Sequence, residues 1–129
     1  MLILLLALLA ASPFAGTWQG TMNDQPAVKL TLEDAPGGKV TGTIVFYFQQ
    51  RGDDGKWRVV EGGDAKGEIL VPEVKGKVLT FEVRHHKSHG SAEYGPNKKF
   101  VVELTGPKEA RFREAGGADL SGVVLTKQK

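Results

Sequence analysis

Strict alternation of apolar and polar residues is the feature of this sequence that most limits its fold. In "PAVKLTLED", Val28, Leu30 and Leu32 share one face of an extended chain, and the residues between them share the other. The same period of two returns in "KVTGTIVFYFQQ", "GKVLTFEVRHH", "KKFVVELTG", "KEARFREA" and "ADLSGVVLTKQ". No window keeps the apolar spacing of an amphipathic helix. The pattern therefore predicts an all-β chain.

Short, glycine-containing connections between these segments favour antiparallel neighbours. The simplest count gives eight strands, beginning with "GTWQGTM", and predicts a single eight-stranded antiparallel up-and-down barrel, because closure leaves no exposed sheet edge. We interpret "KWRVVEGGDAKGEILVPE" as one long strand with a bulge at Gly62 and Gly63. If this segment forms two strands, the barrel has nine strands. A β-sandwich is the alternative, but its cross-sheet connections need longer links.

The two ends of such a barrel are predicted to differ. In a meander, every second connection lies at the same end, and the connections near 35–38, 72–76 and 106–107 are all short. Those at 23–26, 51–55, 87–97 and 115–118 include one long polar loop. This asymmetry indicates a closed base and an open mouth, where a ligand would enter.

The first fifteen residues, "MLILLLALLAASPFA", are almost wholly apolar and carry no charged side chain. The run is too short for a stable membrane span, which needs ~20 apolar residues. "LAASPFA" offers small residues to a signal peptidase, although the usual basic n-region is missing. We therefore predict a signal peptide over 1–15, a barrel domain over 16–129, and a secreted or periplasmic protein.

The cysteine count and the distribution of charge limit how the chain can be stabilised and which partners it can bind. The chain of 129 residues has no cysteine, so an exported form has no disulfides and depends on its core and its β-ladders for stability. The net charge is +2, and basic and acidic residues are interleaved rather than gathered in a stripe. Such a distribution does not favour nucleic acid as a partner. The sequence carries no signal for the oligomeric state.

Three short segments carry a family resemblance. "GTW" at Gly16-Thr17-Trp18 resembles the Gly-x-Trp signature of the calycin superfamily, which includes lipocalins, fatty-acid-binding proteins and avidins. "GKVTGT" at 38–43 and "EARF" at 109–112 are similar to avidin segments in the same order. The resemblance implies that Trp18 closes the barrel base and that a basic residue, for which Arg111 is the candidate, packs across it. Biotin binding is not implied, because avidins use several tryptophans and this chain has only Trp18 and Trp57.

Large apolar side chains at inward positions below a polar mouth predict the binding of a small, mostly apolar molecule. The predicted wall consists of Phe46, Phe48, Phe81, Val83, Phe100, Val102 and Phe112, and the predicted polar mouth of Gln50, His85 and Tyr94. A packed barrel without a lumen, acting through its surface as an interaction or envelope protein, is the competing hypothesis. This competing hypothesis remains in place because the same side chains can fill the interior of an eight-stranded barrel.

Histidines in "FEVRHHKSHG" are the candidate metal ligands, since His85, His86 and His89 could offer three imidazoles to zinc or copper. Adjacent strand residues point to opposite faces, so His85 and His86 would diverge. Solvated hairpin histidines are the favoured interpretation, and we predict no metal or cofactor. Haem binding through His85 or His89 is a further alternative.

Catalytic motifs are not evident in the sequence. Ser88 stands between histidines, but it has no orienting carboxylate unless Glu82 or Glu93 folds back. Arg51-Gly52-Asp53 matches an adhesion tripeptide, yet "RGDDG" is already explained as turn chemistry. We therefore predict a protein that is not an enzyme.

Overall fold

The computed structural model describes residues 12–62, 65–84, 93–116 and 122–129, and every regular element in these ranges is a β-strand. In chain order the strands are β1 (Gly16–Met22), β2 (Gln25–Ala35), β3 (Lys39–Phe46), β4 (Gln49–Arg51), β5 (Trp57–Val59), β6 (Ala65–Glu68), β7 (Leu70–Lys75), β8 (Val78–Val83), β9 (Lys98–Gly106), β10 (Glu109–Glu114) and β11 (Val123–Lys127).

Nine of these strands form one sheet in the order β6-β3-β2-β1-β11-β10-β9-β8-β7. Every pairing is antiparallel, and most neighbours in the sheet follow one another along the chain. The first strand, β1, pairs with the last, β11, from Trp18↔Lys127 to Gly20↔Leu125. The prediction of an all-β chain with up-and-down strand order is confirmed.

One chain segment supplies both edges of this sheet. At one edge β6 pairs with β3, and at the other β7 pairs with β8. Only Ile69 separates β6 from β7, and its N–H donates to the carbonyl oxygen of Gly42 at 3.1 Å. Because the two edge strands are consecutive, the sheet curls almost to a closed barrel. Residues 65–75 thus serve as one barrel strand that changes its partner at Ile69.

The segment "KWRVV" forms its own strand, β5, but this strand lies outside the barrel. It pairs with β4 from Gln49↔Val59 to Arg51↔Trp57 in a separate two-stranded sheet, which we call the ribbon. The interpretation of 56–73 as one strand was wrong. The ribbon is an insertion between the antiparallel strands β3 and β6, so the later connections keep the ends predicted for them. The ninth strand of the sheet comes instead from the break at Ile69.

The strand order of the sheet determines which connections lie at the base of the barrel and which lie at the mouth. Connections 36–38, 76–77 and 107–108 lie at the base, whereas 23–24 and the described parts of the other connections, at 47–62, 84, 93–97, 115–116 and 122, lie at the mouth. Inward side chains form one continuous core, with Phe14 and Trp18 at the base. Its buried members are Phe14, Trp18, Val28, Leu30, Leu32, Val40, Ile44, Ile69, Leu79, Phe81, Val83, Phe100, Val102, Ala110, Phe112 and Leu125.

Val71 has the least favourable backbone of the barrel strand 65–75. Its φ is 48°, it lies where the β7–β8 register shifts between Leu70 and Glu73, and its side chain is 69% exposed. A left-handed conformation costs an ordinary residue about 1–2 kcal/mol, and a β-branched side chain is especially unsuited to it.

Val71→Asn is therefore expected to raise the free energy of unfolding by about 1 kcal/mol, because asparagine tolerates this conformation and little burial is lost. Urea unfolding measures the change. Val124→Asn is the matched control, since Val124 is also an exposed valine in a strand, at 46%, but is not among the residues with positive φ. Equal destabilisation by both changes would show that Val71 is not strained.

Candidate binding site at the mouth

Four phenylalanines from four strands meet below the mouth. Phe46 comes from β3, Phe81 from β8, Phe100 from β9 and Phe112 from β10, and we call them the phenylalanine cluster. The ring centroids of Phe100 and Phe112 are 5.1 Å apart with planes 12° apart, while Phe46 and Phe81 lie 5.4 and 6.0 Å from Phe100. These separations are typical of favourable aromatic pairs. The predicted wall residues in this cluster therefore contact one another.

Exposure within the core rises from the base to the mouth. Trp18, Leu79 and Leu125 are 0% exposed, whereas Phe112 is 6% and Phe100 is 9% exposed. Phe46 is only partly buried. Phe46, Phe100 and Phe112 thus keep some exposure to solvent, whereas Phe81 is only 1% exposed. The phenylalanine cluster forms an apolar floor above side chains that solvent does not reach.

The remaining predicted wall residues divide into two groups. Val83 and Val102 are buried in the core, as their inward parity predicted. Phe48 is 43% exposed and lies outside the core, because β3 ends at Phe46 and the chain then leaves the sheet. The carbonyl oxygen of Phe48 accepts the Val60 N–H at 2.8 Å, at the root of the ribbon. Gln50 lies exposed in β4, opposite Arg58.

Gln49 fastens the ribbon to the barrel. Its Nε2 lies 2.9, 3.3 and 3.0 Å from the carbonyl oxygens of Met22, Gln25 and Pro26, and its Oε1 accepts the side-chain N–H of Asn23 at 3.1 Å. Asn23 and Asp24 both have positive φ, as the tight turn between β1 and β2 requires. Sequence reasoning missed this anchor, because no local pattern marks a glutamine that bonds to a distant turn.

Four exposed, largely apolar side chains lie on segments at the mouth end. Met22 ends β1, Phe48 follows β3, Trp57 belongs to the ribbon, and Tyr94 lies in the connection before β9; we call these four residues the rim. Their exposures range from 39% for Trp57 to 49% for Met22. The guanidinium carbon of Arg84 lies 4.8 Å from the ring centroid of Tyr94. Exposed apolar side chains mark a binding surface where they form a contiguous patch, so the rim is a candidate for one.

The ribbon tip carries an open groove of about 470 Å³. Arg58 and Asp54 form an ion pair there at 2.6 Å. The hydrogen bond from Arg58, together with the N–H of Lys56, holds the pKa of Asp54 below its usual value. Gly52 donates its N–H to the carbonyl oxygen of Lys56 at 2.8 Å. The Arg51-Gly52-Asp53 tripeptide therefore lies at the hairpin turn of the ribbon. The groove is lined by Gln50, Arg51, Gly52, Asp53, Arg58, Val59, Val60 and Glu61.

Trp18 lies in the base, where its side chain is fully buried. Its Nε1–H donates to the carbonyl oxygen of Phe14 at 2.9 Å. The cation across the ring is Lys127, whose Nζ is 5.4 Å from the ring centroid, rather than Arg111. Lys127 is the cross-strand partner of Trp18, whereas Arg111 is exposed and lies opposite Val124 on β11. Leu125 and Lys127 are two residues apart in β11 and so lie on the same, inward face of the strand, a pattern that could have identified the lysine from the sequence.

The candidate metal ligands His85, His86 and His89 lie outside the described residues, and so does Ser88. Within the described ranges, no three histidine, cysteine or acidic side chains come together as a metal site would require. The same ranges hold no helix with the length and hydropathy of a membrane span.

The observed class is thus an all-β, nearly closed barrel with a packed base. No protein-family model, curated protein or solved structure matches the chain.

Proposed function

We propose that this protein is an exported binding protein that takes up a small, mostly apolar molecule at the mouth of its barrel. The observation that carries the proposal is the phenylalanine cluster, an apolar floor at the mouth end of the core in which Phe46, Phe100 and Phe112 keep some exposure to solvent. Apolar surface covered by a ligand contributes about 25 cal/mol per Å². A floor of aromatic rings can therefore supply useful affinity without any deep cavity.

The proposed site is shallow, because the core below the phenylalanine cluster is packed. Trp18, Leu79 and Leu125 are fully buried beneath the phenylalanine cluster and belong to the same continuous core. A ligand would accordingly lie on the cluster and beneath the rim. The polar contacts proposed for it are Tyr94, whose ring lies beside the Arg84 guanidinium, and Gln50, which is exposed in β4. His85, the third predicted polar contact, lies outside the described residues.

A calycin-like relationship is part of the proposal. It is supported by the Gly-x-Trp segment at the start of β1, by the near-closed barrel, and by the lysine across the Trp18 ring at the base. These features describe the fold of the barrel and do not identify a ligand. A binding experiment is therefore needed to find one.

The experiment is a panel of fatty acids, sterols and aromatic compounds, read by native mass spectrometry and by thermal shift. At least one class is expected to bind with 1:1 stoichiometry and to raise the melting temperature; a ligand present at 100 times its Kd stabilises by about 2.7 kcal/mol. Phe46→Ser is expected to weaken binding at least tenfold, since it removes a ring from the floor. Val124→Ser is the matched control, because Val124 is an exposed apolar residue on β11, paired with Arg111.

An interaction protein that acts through the rim is the second candidate, and the exposure of Met22, Phe48, Trp57 and Tyr94 favours it. The panel separates the two candidates. If no compound binds, or if Phe46→Ser and Val124→Ser weaken uptake equally, the floor is not a ligand site and the rim candidate takes its place.

A further inference from the structure

We propose that a gap in the barrel wall beside Gly67 is an apolar subsite, and that it takes a flat aromatic ring of the ligand. The gap is bounded by Ala65 and Gly67 of β6, Phe46 of β3 and Val83 of β8, and we call it the β6 gap. The inference rests on the proposed function, for which it names a position and a chemical class of ligand.

The inward positions of β6 are occupied by glycine and alanine. Gly67 pairs with Ile44, which is 0% exposed, and Ala65 pairs with Phe46. Because residues directly opposite each other in an antiparallel ladder lie on the same face of the sheet, both small residues face the inside of the barrel. The inward residues near the mouth on β3, β8, β9 and β10 are much larger, namely Phe46, Val83, Phe100 and Phe112. The barrel wall therefore lacks side-chain bulk at β6.

A comparison of two inward glycines shows that the described residues do not fill the space beside Gly67. A Cβ added at Gly20 on β1 would lie 2.5, 2.9 and 3.1 Å from side-chain atoms of three neighbours, Val123, Leu125 and Val28. A Cβ added at Gly67 would have one atom of the described residues within 4 Å, a methyl carbon of Val83 at 3.9 Å. Gly20 thus makes room for its neighbours, whereas Gly67 leaves room for a ligand.

The β6 gap is apolar and is reached by solvent. Ala65 is exposed and Gly67 is half-buried, although both face inward. The charged residues of the strand, Lys66 and Glu68, alternate onto the outer face. In the part of the chain that the structure describes, β6 is an edge of the sheet and pairs with β3 alone. The gap therefore opens beside Phe46, at one side of the phenylalanine cluster.

The surfaces on either side of the β6 gap favour a flat aromatic group. On one side the backbone of β6 is covered by no more than the methyl group of Ala65, and a glycine within a strand commonly marks the close approach of a ligand. On the other side is the Phe46 ring, whose centroid lies 5.4 Å from that of Phe100 and 6.2 Å from that of Phe112. Aromatic pairs contribute more than their buried area alone. A planar ring in the gap would extend the phenylalanine cluster by one aromatic contact.

The β6 gap is tested first without any ligand, because the chain has no cysteine and a single one can be introduced. Gly67→Cys and Glu68→Cys are each labelled with bimane, a small planar fluorophore. Glu68→Cys is the matched control, since Glu68 is the next residue of β6 and is exposed on the outer face. The inward label is expected to emit at shorter wavelength and to be quenched less by iodide than the outward label. Equal emission and equal quenching would overturn the subsite.

Gly67→Leu tests whether the ligand uses the β6 gap. The leucine side chain should fill the space, so the melting temperature is expected to stay at or above that of the unsubstituted protein. Binding of planar aromatic compounds should weaken at least about tenfold, since even one misplaced methylene in an apolar pocket has an effect of that size. Glu68→Leu, the matched control, should leave the affinity unchanged. A Gly67→Leu protein that melts far below the Glu68→Leu protein would show that the space is already filled, and the subsite would be overturned.

The outcomes separate this inference from the proposed function. If fatty acids or sterols bind and planar aromatic compounds do not, the ligand class is overturned and the proposed function stands. Equal affinities of the Gly67→Leu and Glu68→Leu proteins overturn the position of the ring, again without touching the proposed function. If no compound of any class binds, the proposed function and the ligand class are both overturned, and the bimane labels alone decide whether the gap is open.

Discussion

Replacing Phe14 by alanine is expected to lower the free energy of unfolding by about 3–5 kcal/mol. The ring is fully buried beside Trp18, so its removal leaves a cavity in the base as well as losing the burial of the side chain. A small domain is stable by only about 5–15 kcal/mol, so the variant should be marginal at 37 °C. Urea unfolding followed by tryptophan fluorescence measures the change.

Phe48→Ala is the control for this experiment, because it deletes the same side chain at a site that is 43% exposed. It should cost less than about 1 kcal/mol. If the two substitutions have equal effects, Phe14 does not belong to the folded core.

Gly42→Ala is expected to destabilise the barrel by at least about 3 kcal/mol, despite adding only one methyl group. A Cβ on Gly42 would lie 2.0 Å from the carbonyl oxygen of Thr31 and 3.1 Å from the Cα of Leu32. Both atoms belong to the backbone of β2, which cannot move aside as a flexible side chain can. The substitution also strains the point where the N–H of Ile69 bonds to Gly42.

Gly67→Ala is the matched control in the same part of the barrel, since Gly67 pairs with Ile44 on β3. The nearest atom to its added Cβ would be a methyl of Val83 at 3.9 Å, which is ordinary contact. Denaturation midpoints of the two variants should therefore differ widely. Similar midpoints would mean that β2 and β3 can separate at Gly42 without loss.

Alternation was enough to predict the barrel strands, because burial on one face of a sheet imposes a period of two wherever a strand is half buried. Leu79, Phe81 and Val83 follow that period and are buried. The end of β3 could not be predicted in this way. "FYFQQ" continues the same alternation past Phe46, but after the Tyr47 N–H, which donates to the carbonyl oxygen of Ala27, the chain leaves the sheet and Gln49 bonds to the turn between β1 and β2.

The candidate site was predictable in its residues but not in its packing. Inward parity identified all four members of the phenylalanine cluster, yet only the curling of the sheet into a barrel brings Phe46 of β3 to 5.4 Å from Phe100 of β9. Phe14 was hidden for a different reason. An apolar core residue at the end of an apolar N-terminal run cannot be told from that run by its residue type. Only the hydrogen bond between its carbonyl oxygen and Trp18 shows that Phe14 belongs to the barrel.

Adjacency of β1 and β11 determines when the barrel can fold. The strand that carries Trp18 completes its pairing only with the strand that carries Lys127, at the opposite end of the chain. Contacts between residues so far apart in sequence make folding slow, because much chain entropy is lost before they form. If the protein is exported as proposed, with its N-terminus first, the chain would therefore stay unfolded, and able to pass through a narrow pore, until its last strand emerges.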